Sequence, residues 1–196
     1  MKAWNIRISV VILLLFPGIR LKAQLLETLK PDYVVLQHAG SIGYMSIGGG
    51  YELFKNDRGS LEFDYGYIPK NRGGTLHIAT TKFAYRPFRI KIKDKVSIFP
   101  LNPGVFFSYH FGKQFGLGFD RDQYGKSYYG WSTALRGHIS VSNEIKLHTG
   151  NKNSVTIYSE FNTSDLSLAS MFYKNNSQWL SPEDIVKLGV GVKVGF

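Results

Sequence analysis

The last ten residues of the chain, KLGVGVKVGF, alternate strictly between two kinds of side chain. The apolar residues that share one parity are Leu188, Val190, Val192, Val194 and Phe196, together with Val186 just before the segment, and glycine or lysine lies between them. A helix would spread this pattern around its axis, whereas a β-strand keeps it on two separate faces. The segment therefore predicts a strand with one apolar face and one small or charged face.

Seven further segments show the same period of two and are separated by turn residues, as in KNDRG. They are residues 41–54, 60–67, 75–85, 104–111, 130–142, 154–161 and 166–172. In the third of them the apolar parity slips between Ile78 and Phe83, which predicts a β-bulge there. Together with the final segment they predict an all-β fold of eight antiparallel strands, with ten strands as the alternative.

The polar face of these strands decides between two kinds of barrel. It is rich in Gly, Ser and Tyr, and poor in the Lys, Glu and Thr that usually cover solvated strands. Aromatic residues lie near the strand ends on the apolar face, where membrane interfaces favour them: Tyr65, Tyr67, Phe107, Tyr109, Trp131 and Phe172. The pattern favours an up-and-down transmembrane β-barrel, and a soluble lipocalin-like periplasmic binding barrel is the alternative.

The N-terminal segment has the composition of an export signal. Residues 1–23 have a basic start, a short apolar run and a Pro-Gly pair, which predict a secretory signal peptide cleaved after Ala23. Residues 24–40 form an N-terminal segment, and residues 41–196 are assigned to the barrel. The chain has no Cys, so neither disulfides nor Cys-based metal sites are expected.

The closing strand, with its alternating apolar residues and terminal Phe196, resembles the assembly signal of small bacterial outer-membrane β-barrel proteins. The resemblance implies an outer-membrane location, recognition of Phe196 by the barrel-assembly machinery, and contact with outer-membrane lipids and lipopolysaccharide. It implies an envelope-structural, surface-interaction or small-solute passage role. The sequence does not indicate a specific activity, and a non-enzymatic role is favoured over an enzymatic one.

Charged residues on the inward face form the first candidate site. They are Glu52, Glu62, Asp64, Arg136, His138, Glu160, Lys187 and Lys193. Because buried charges need partners, we expect an interior network of salt bridges and hydrogen bonds. A polar solute site is the alternative, although eight strands leave little space for a wide channel.

A weaker candidate is catalytic. His138 and Ser140 lie two apart on one face, and Glu160 could approach from the neighbouring strand, which is the material of a Ser–His–acid triad. The His-x-Ser spacing is similar to that of the outer-membrane lipid A deacylases, which implies a lipid A acyl hydrolase as the alternative function. The sequence after Ser140 does not continue that family's motif, and the alternation points His138 inward.

The third candidate is a basic ladder in RPFRIKIKDKVS, formed by Arg89, Lys91, Lys93 and Lys95. By the strand count this hairpin lies at the extracellular rim, where it could hold lipopolysaccharide phosphates. The net charge of +10 would also permit nucleic acid, but an exported barrel is not expected to meet it. No metal or cofactor is expected, since His38, His77 and His148 lack ligand spacing.

The position of one long connection conflicts with the predicted number of strands. Four predicted strands precede residues 112–130, which puts this long stretch on the periplasmic side, although long connections in such barrels are normally extracellular. Either the segment 24–40 holds an additional element or residues 88–100 break differently, and the sequence leaves this conflict open.

Overall fold

The computed structural model describes residues 29–93, 95–118, 131–150, 153–172 and 179–196. Nine β-strands lie within these ranges: β1 (Tyr33–Ala39), β2 (Met45–Leu53), β3 (Gly59–Ile68), β4 (Leu76–Tyr85), β5 (Ile90–Ile92), β6 (Val96–Phe111), β7 (Leu135–His148), β8 (Ser154–Ser164) and β9 (Lys187–Gly195). Two helices follow β8, α1 (Asp165–Phe172) and α2 (Pro182–Ile185). Among the described helices, none has the length and apolarity needed to cross a membrane.

The sheet closes on itself. Its order is β4-β3-β2-β1-β9-β8-β7-β6-β5, and an additional pairing between β4 and β6 completes the circle. The short β5 only extends β6 as a hairpin, so eight strands form the wall, and all their pairings are antiparallel. The predicted all-β, eight-stranded, up-and-down barrel is confirmed.

The register of the strands fixes the width of the barrel. Residues that pair across neighbouring strands can be followed around the barrel in both directions from Tyr33. In one direction the successive partners are Gly195 on β9 and Ser154 on β8. The other way they lead through Gly50, Glu62, Lys82, Phe106 and His138 to Ser164, ten residues further along β8. With eight strands about 4.8 Å apart and a rise of about 3.3 Å per residue, this displacement gives a strand tilt of about 40°. Such a barrel has an interior only wide enough for side chains.

The sequence pattern did not predict strand β1. Including this strand changes the end of the barrel to which each loop is assigned. Tyr33, Val35 and Gln37 face inward while Val34 and Leu36 face outward, so apolar residues on both faces hide the alternation. Five barrel strands therefore precede residue 112, instead of four. The barrel includes residues from the segment 24–40, beginning at Tyr33.

The two ends of the barrel differ. The terminal end carries Tyr33 and Gly195 together with the connections 54–58, 86–95 and 149–153. The loop end carries the connections 40–44, 69–75, 112–134 and 165–186. The long connections thus lie opposite the chain's barrel termini, as is usual in outer-membrane barrels.

The segment 166–172, predicted as a strand, is helix α1 instead. The hydroxyl of Ser164 accepts a hydrogen bond from the backbone N–H of Ser167 (3.1 Å), which caps the first turn. Asp165 lies in that turn, where a carboxylate complements the helix dipole. The count of eight strands survives because the missed β1 replaces this segment.

The bulge predicted between Ile78 and Phe83 is absent from the described strand β4, whose pairing with β3 and β6 is regular. The parity slips because Ile78 is an apolar residue that faces the interior, where it is 2% exposed. The register shift lies in β6, between Phe99 and Asn102. There Leu101 has a φ of 52° and lies outside, and Pro100 and Pro103 flank the irregularity, which is where a sheet tolerates proline.

The outer face of the barrel is an apolar surface. Side chains such as Leu36, Ile47, Phe63, Ile139 and Val192 are between 39% and 55% exposed. The interior, by contrast, is built from tightly buried polar and charged residues with a few aromatic rings. This is the reverse of a water-soluble barrel, whose apolar side chains would fill the inside.

Candidate functional site in the barrel interior

Every charged residue in the eight barrel strands has the inward parity. These residues are Glu52, Glu62, Asp64, Lys82, Arg136, Glu144, Lys146, Glu160, Lys187 and Lys193. The fold thus collects both signs of charge along one narrow axis, and the described outward positions of these strands carry none.

A continuous series of ion pairs begins at the terminal end. The Lys146 ammonium lies 3.2 Å from both Asp57 and Glu52. The guanidinium of Arg86 lies 2.6 Å from the other oxygen of Glu52 and 2.8 Å from Glu144. Each cation therefore bridges two carboxylates, which alternates the charges along the series.

The series continues into the middle of the barrel. Lys193 lies 2.8 Å from Glu144 and 2.5 Å from Glu62. Lys82 lies 3.9 Å from Glu62 and 3.0 Å from Glu160, where the series ends. We call the whole set the ion chain: Asp57, Lys146, Glu52, Arg86, Glu144, Lys193, Glu62, Lys82 and Glu160.

Neutral side chains complete the coordination of the ion chain. The hydroxyl of Tyr33 donates to Glu62 (2.8 Å). The side-chain oxygen of Gln37 accepts from both Tyr158 (2.7 Å) and Lys82 (3.1 Å). The Lys193 ammonium also lies over the ring of Tyr158, 4.8 Å from its centroid. Such additional partners are what a buried charge requires to be stable in a low-dielectric interior.

Glycine in the wall makes room for the two tyrosines. A Cβ added at Gly191 would lie 2.6 Å from the ring of Tyr158, and one added at Gly50 would overlap the ring of Tyr33. In the sequence IGGGYE, Gly50 is thus the position that lets the ring of Tyr33 approach the backbone closely.

The residues predicted for the interior fall into three groups: members of the ion chain, buried residues outside it, and one exposed residue. Glu52, Glu62, Glu160 and Lys193 belong to the ion chain. The carboxylate of Asp64 is 6% exposed, and neither of its oxygens has a hydrogen-bond partner within the described residues. At the loop end, Arg136 and His138 are buried inside, whereas Lys187 is exposed and donates to the carbonyl of Glu183 (2.7 Å).

Five members of the ion chain were missed in the sequence: Asp57, Lys82, Arg86, Glu144 and Lys146. Lys82 lies in the strand where a bulge was expected, which obscured its parity. Glu144 and Lys146 lie beyond Ser142, where the strand was taken to end. Extending the period of two through residue 148 would have found both, whereas no local signal marks Arg86, which follows the end of β4.

The predicted catalytic set is not brought together. The ring of His138 is hydrogen-bonded through Nε2 to Ser108 (2.9 Å) on β6 and stacks on Phe106 at 4.2 Å. Glu160 is paired with Lys82, and its register partner on β7 is Ser142. The other nitrogen of His138 has no hydrogen-bond partner within the described residues, so the acid of a triad is missing.

The mouth at the terminal end holds a cavity of about 430 Å³. Its walls include Asp32, Tyr33, Glu52, Lys146 and Lys193. Four members of the ion chain line this vestibule: Glu52, Asp57, Lys146 and Lys193.

The basic ladder lies at the terminal end, not at the rim that the strand count assigned to it. Arg89 donates to the hydroxyl of Ser97 (3.2 Å), and its guanidinium lies over the ring of Phe99. Lys91, Lys93 and Lys95 are exposed. Binding of lipopolysaccharide by this ladder stays a prediction, now without the extracellular position on which it was based.

Comparisons with known proteins add little. No family model matches the chain, and no curated protein matches it. Among solved structures, one described as "NanC porin structure in rhombohedral crystal form" is 8% identical, with 84% of this chain and 98% of that chain covered and a TM-score of 0.27. At this score the similarity carries no functional argument.

Proposed function

We propose that this chain is an integral outer-membrane β-barrel protein. The support is the separation of its two faces: the described outward positions of the wall strands are uncharged and largely apolar, and the inward positions hold the charges of the strands. Only a closed barrel satisfies the backbone of strands in lipid, and this sheet has no free edge in its wall. The expected signal peptide, which lies outside the described residues, would supply the export route.

We further propose that the barrel is closed to solutes and serves the envelope by presenting its loop end. The main observation in support of this proposal is the ion chain, in which eight ion pairs link nine side chains from the terminal mouth to the barrel centre. Opening a path would separate paired buried charges, each of which would cost several kcal/mol. An envelope-structural or surface-interaction role is therefore favoured over solute passage.

Two measurements test the proposal. Outer membranes from a Gram-negative host that expresses the full chain are run on a gel unboiled and boiled; a closed barrel migrates faster before boiling. The purified protein is then reconstituted in planar bilayers, where we expect no steady conductance. An Arg86→Ala/Lys193→Ala variant that still shows the mobility shift should conduct. Steady conductance of the parent protein would overturn the closed-barrel proposal.

The alternatives have less support. A lipocalin-like binding barrel would have apolar side chains inside, whereas here they lie outside. A lipid A acyl hydrolase would need His138, Ser140 and Glu160 to meet at a surface that lipid can reach. His138 is instead 6% exposed, within the interior, and Glu160 is held by Lys82.

A further inference from the structure

The outer face of the barrel has a depression over β4, which we call the β4 groove. Its volume is about 460 Å³. Two small outward residues, Ala79 and Thr81, form its floor. Most other outward positions of the wall carry larger apolar or aromatic side chains.

Aromatic side chains from the neighbouring strands form both walls. Thr81 is the direct partner of Phe63 on β3 and of Phe107 on β6. Ala79 is likewise flanked by Tyr65 and Tyr109. The walls stand two strand spacings apart, about 9–10 Å, which leaves space for one extended hydrocarbon chain between the rings.

The groove points towards a basic connection at the loop end. His77 follows Ala79 on the same face of β4, and its Nδ1 lies 2.6 Å from the hydroxyl of Tyr65. Beyond it, the connection 69–75 exposes Lys70 and Arg72. Residues 69–81 contain no acid, so the β4 side of this end carries only positive charge within the described part of the chain.

We propose that the β4 groove binds an acyl chain of lipid A, with Lys70 and Arg72 holding a phosphate of its headgroup. This proposal rests on the outer-membrane location proposed above, because the loop end then faces the outer leaflet, whose lipid is phosphorylated and multiply acylated. The basic residues supply charge-assisted hydrogen bonds to the phosphate, and hence the selectivity for this headgroup. Within the groove the acyl chain exchanges lipid contacts for ring contacts, so its position depends on shape and on the phosphate.

The test uses the full barrel and compares matched variants. Ala79→Trp fills the floor of the groove, and Ile139→Trp places the same side chain on the outer face of β7 as a control. Lys70→Gln/Arg72→Gln removes the phosphate contacts, and Lys55→Gln removes an exposed charge at the terminal end as a control. Each protein is first shown to migrate faster unboiled than boiled, which separates loss of the barrel from loss of the lipid site.

Binding is measured by native mass spectrometry after incubation with purified lipid A or with dimyristoyl phosphatidylglycerol. We expect a retained lipid A adduct on the parent and on both controls, several-fold less on Ala79→Trp, and less on Lys70→Gln/Arg72→Gln. Equal retention by all variants, or equal retention of phosphatidylglycerol by the parent, would overturn the proposal while leaving the barrel itself intact. A parent without the mobility shift would instead refute the outer-membrane function on which the proposal rests.

Discussion

Lys193 on β9 and Glu62 on β3 lie 131 residues apart in sequence, yet the ammonium and carboxylate are 2.5 Å apart. Two strands, β1 and β2, separate β9 from β3 in the wall. The contact therefore runs through the interior and not along the sheet. It ties opposite parts of the barrel together, which backbone pairing between neighbours cannot do.

Replacing Lys193 should destabilise the barrel strongly. In Lys193→Met the long side chain is kept, but Glu62 and Glu144 lose a shared cation in a buried site. Breaking such a buried pair costs about 3–5 kcal/mol. We expect this loss in urea unfolding of barrels refolded into lipid vesicles, followed by tryptophan fluorescence.

The control for this change is Lys91→Met, which alters an exposed lysine of the β5 hairpin and should change the free energy of unfolding little. A second variant, Lys193→Met/Glu62→Leu, removes both partners and should recover part of the stability, because it leaves one fewer unpaired charge. If Lys193→Met unfolds at the urea concentration of the parent, the ion chain does not hold the barrel together.

Replacing a wall glycine by alanine should change the free energy of unfolding differently at crowded and at uncrowded positions. At Gly191 a Cβ would lie 2.6 Å from both the ring of Tyr158 and the carbonyl of Leu36. We expect Gly191→Ala to lower the free energy of unfolding by about 1–3 kcal/mol, as overpacking does. At Gly137 a Cβ would meet nothing nearer than the Phe107 ring at 3.7 Å, so Gly137→Ala should be neutral or slightly stabilising. Equal effects of the two variants in the same urea titration would contradict this packing.

The loss of stability caused by an arginine on the outer face should depend on how deep in the membrane that position lies. Val192 lies between Leu36 and Ile157 in the wall, near the middle of β9. In a transmembrane barrel Val192→Arg should cost about 2–4 kcal/mol, whereas Tyr85→Arg, at the terminal end of β4, should cost about 0–1 kcal/mol. The measurement is refolding into vesicles over a urea series. A soluble barrel would tolerate both changes equally.

The absence of cysteine allows the two ends to be assigned. Lys70→Cys places a thiol at the loop end, and Lys91→Cys places one at the terminal end. With a maleimide that cannot cross the outer membrane, intact cells should label the first variant only, and lysed cells should label both. The opposite result in intact cells would reverse the orientation and would also remove the basis for lipid A in the β4 groove.

Much of the fold was predictable because a half-buried strand leaves a period of two in the sequence. The segments at Met45–Leu53, Gly59–Ile68 and Lys187–Gly195 have clean faces, and the alternation found each of them. The pattern failed where both faces are apolar, as in Tyr33–Ala39. It also failed at Asp165–Phe172, where a hydroxyl cap and not the alternation decides the structure.

The ion chain was less predictable than the strands. Parity shows that Glu62 and Lys193 point inward, but it does not show that they meet, because that depends on the displacement around the closed sheet. Arg86 could not be found by parity at all, since it joins Glu52 and Glu144 from just beyond the end of β4. The β4 groove has a simple signal, two small residues between aromatic strands, but this becomes visible only once the neighbours of β4 are known.

The irregularity in β6 has a consequence for how this chain can change in length. Below it the buried residues of β6 are odd-numbered, Ser97 and Phe99; above it they are even-numbered, Asn102, Phe106 and Ser108. One extra residue thus inverts the two faces of a strand from that point onward. A single insertion or deletion inside another barrel strand that carries charged residues would turn part of its inward charges towards lipid. We therefore expect viable length variants of these strands to differ by two residues, or to carry a compensating bulge of the same kind.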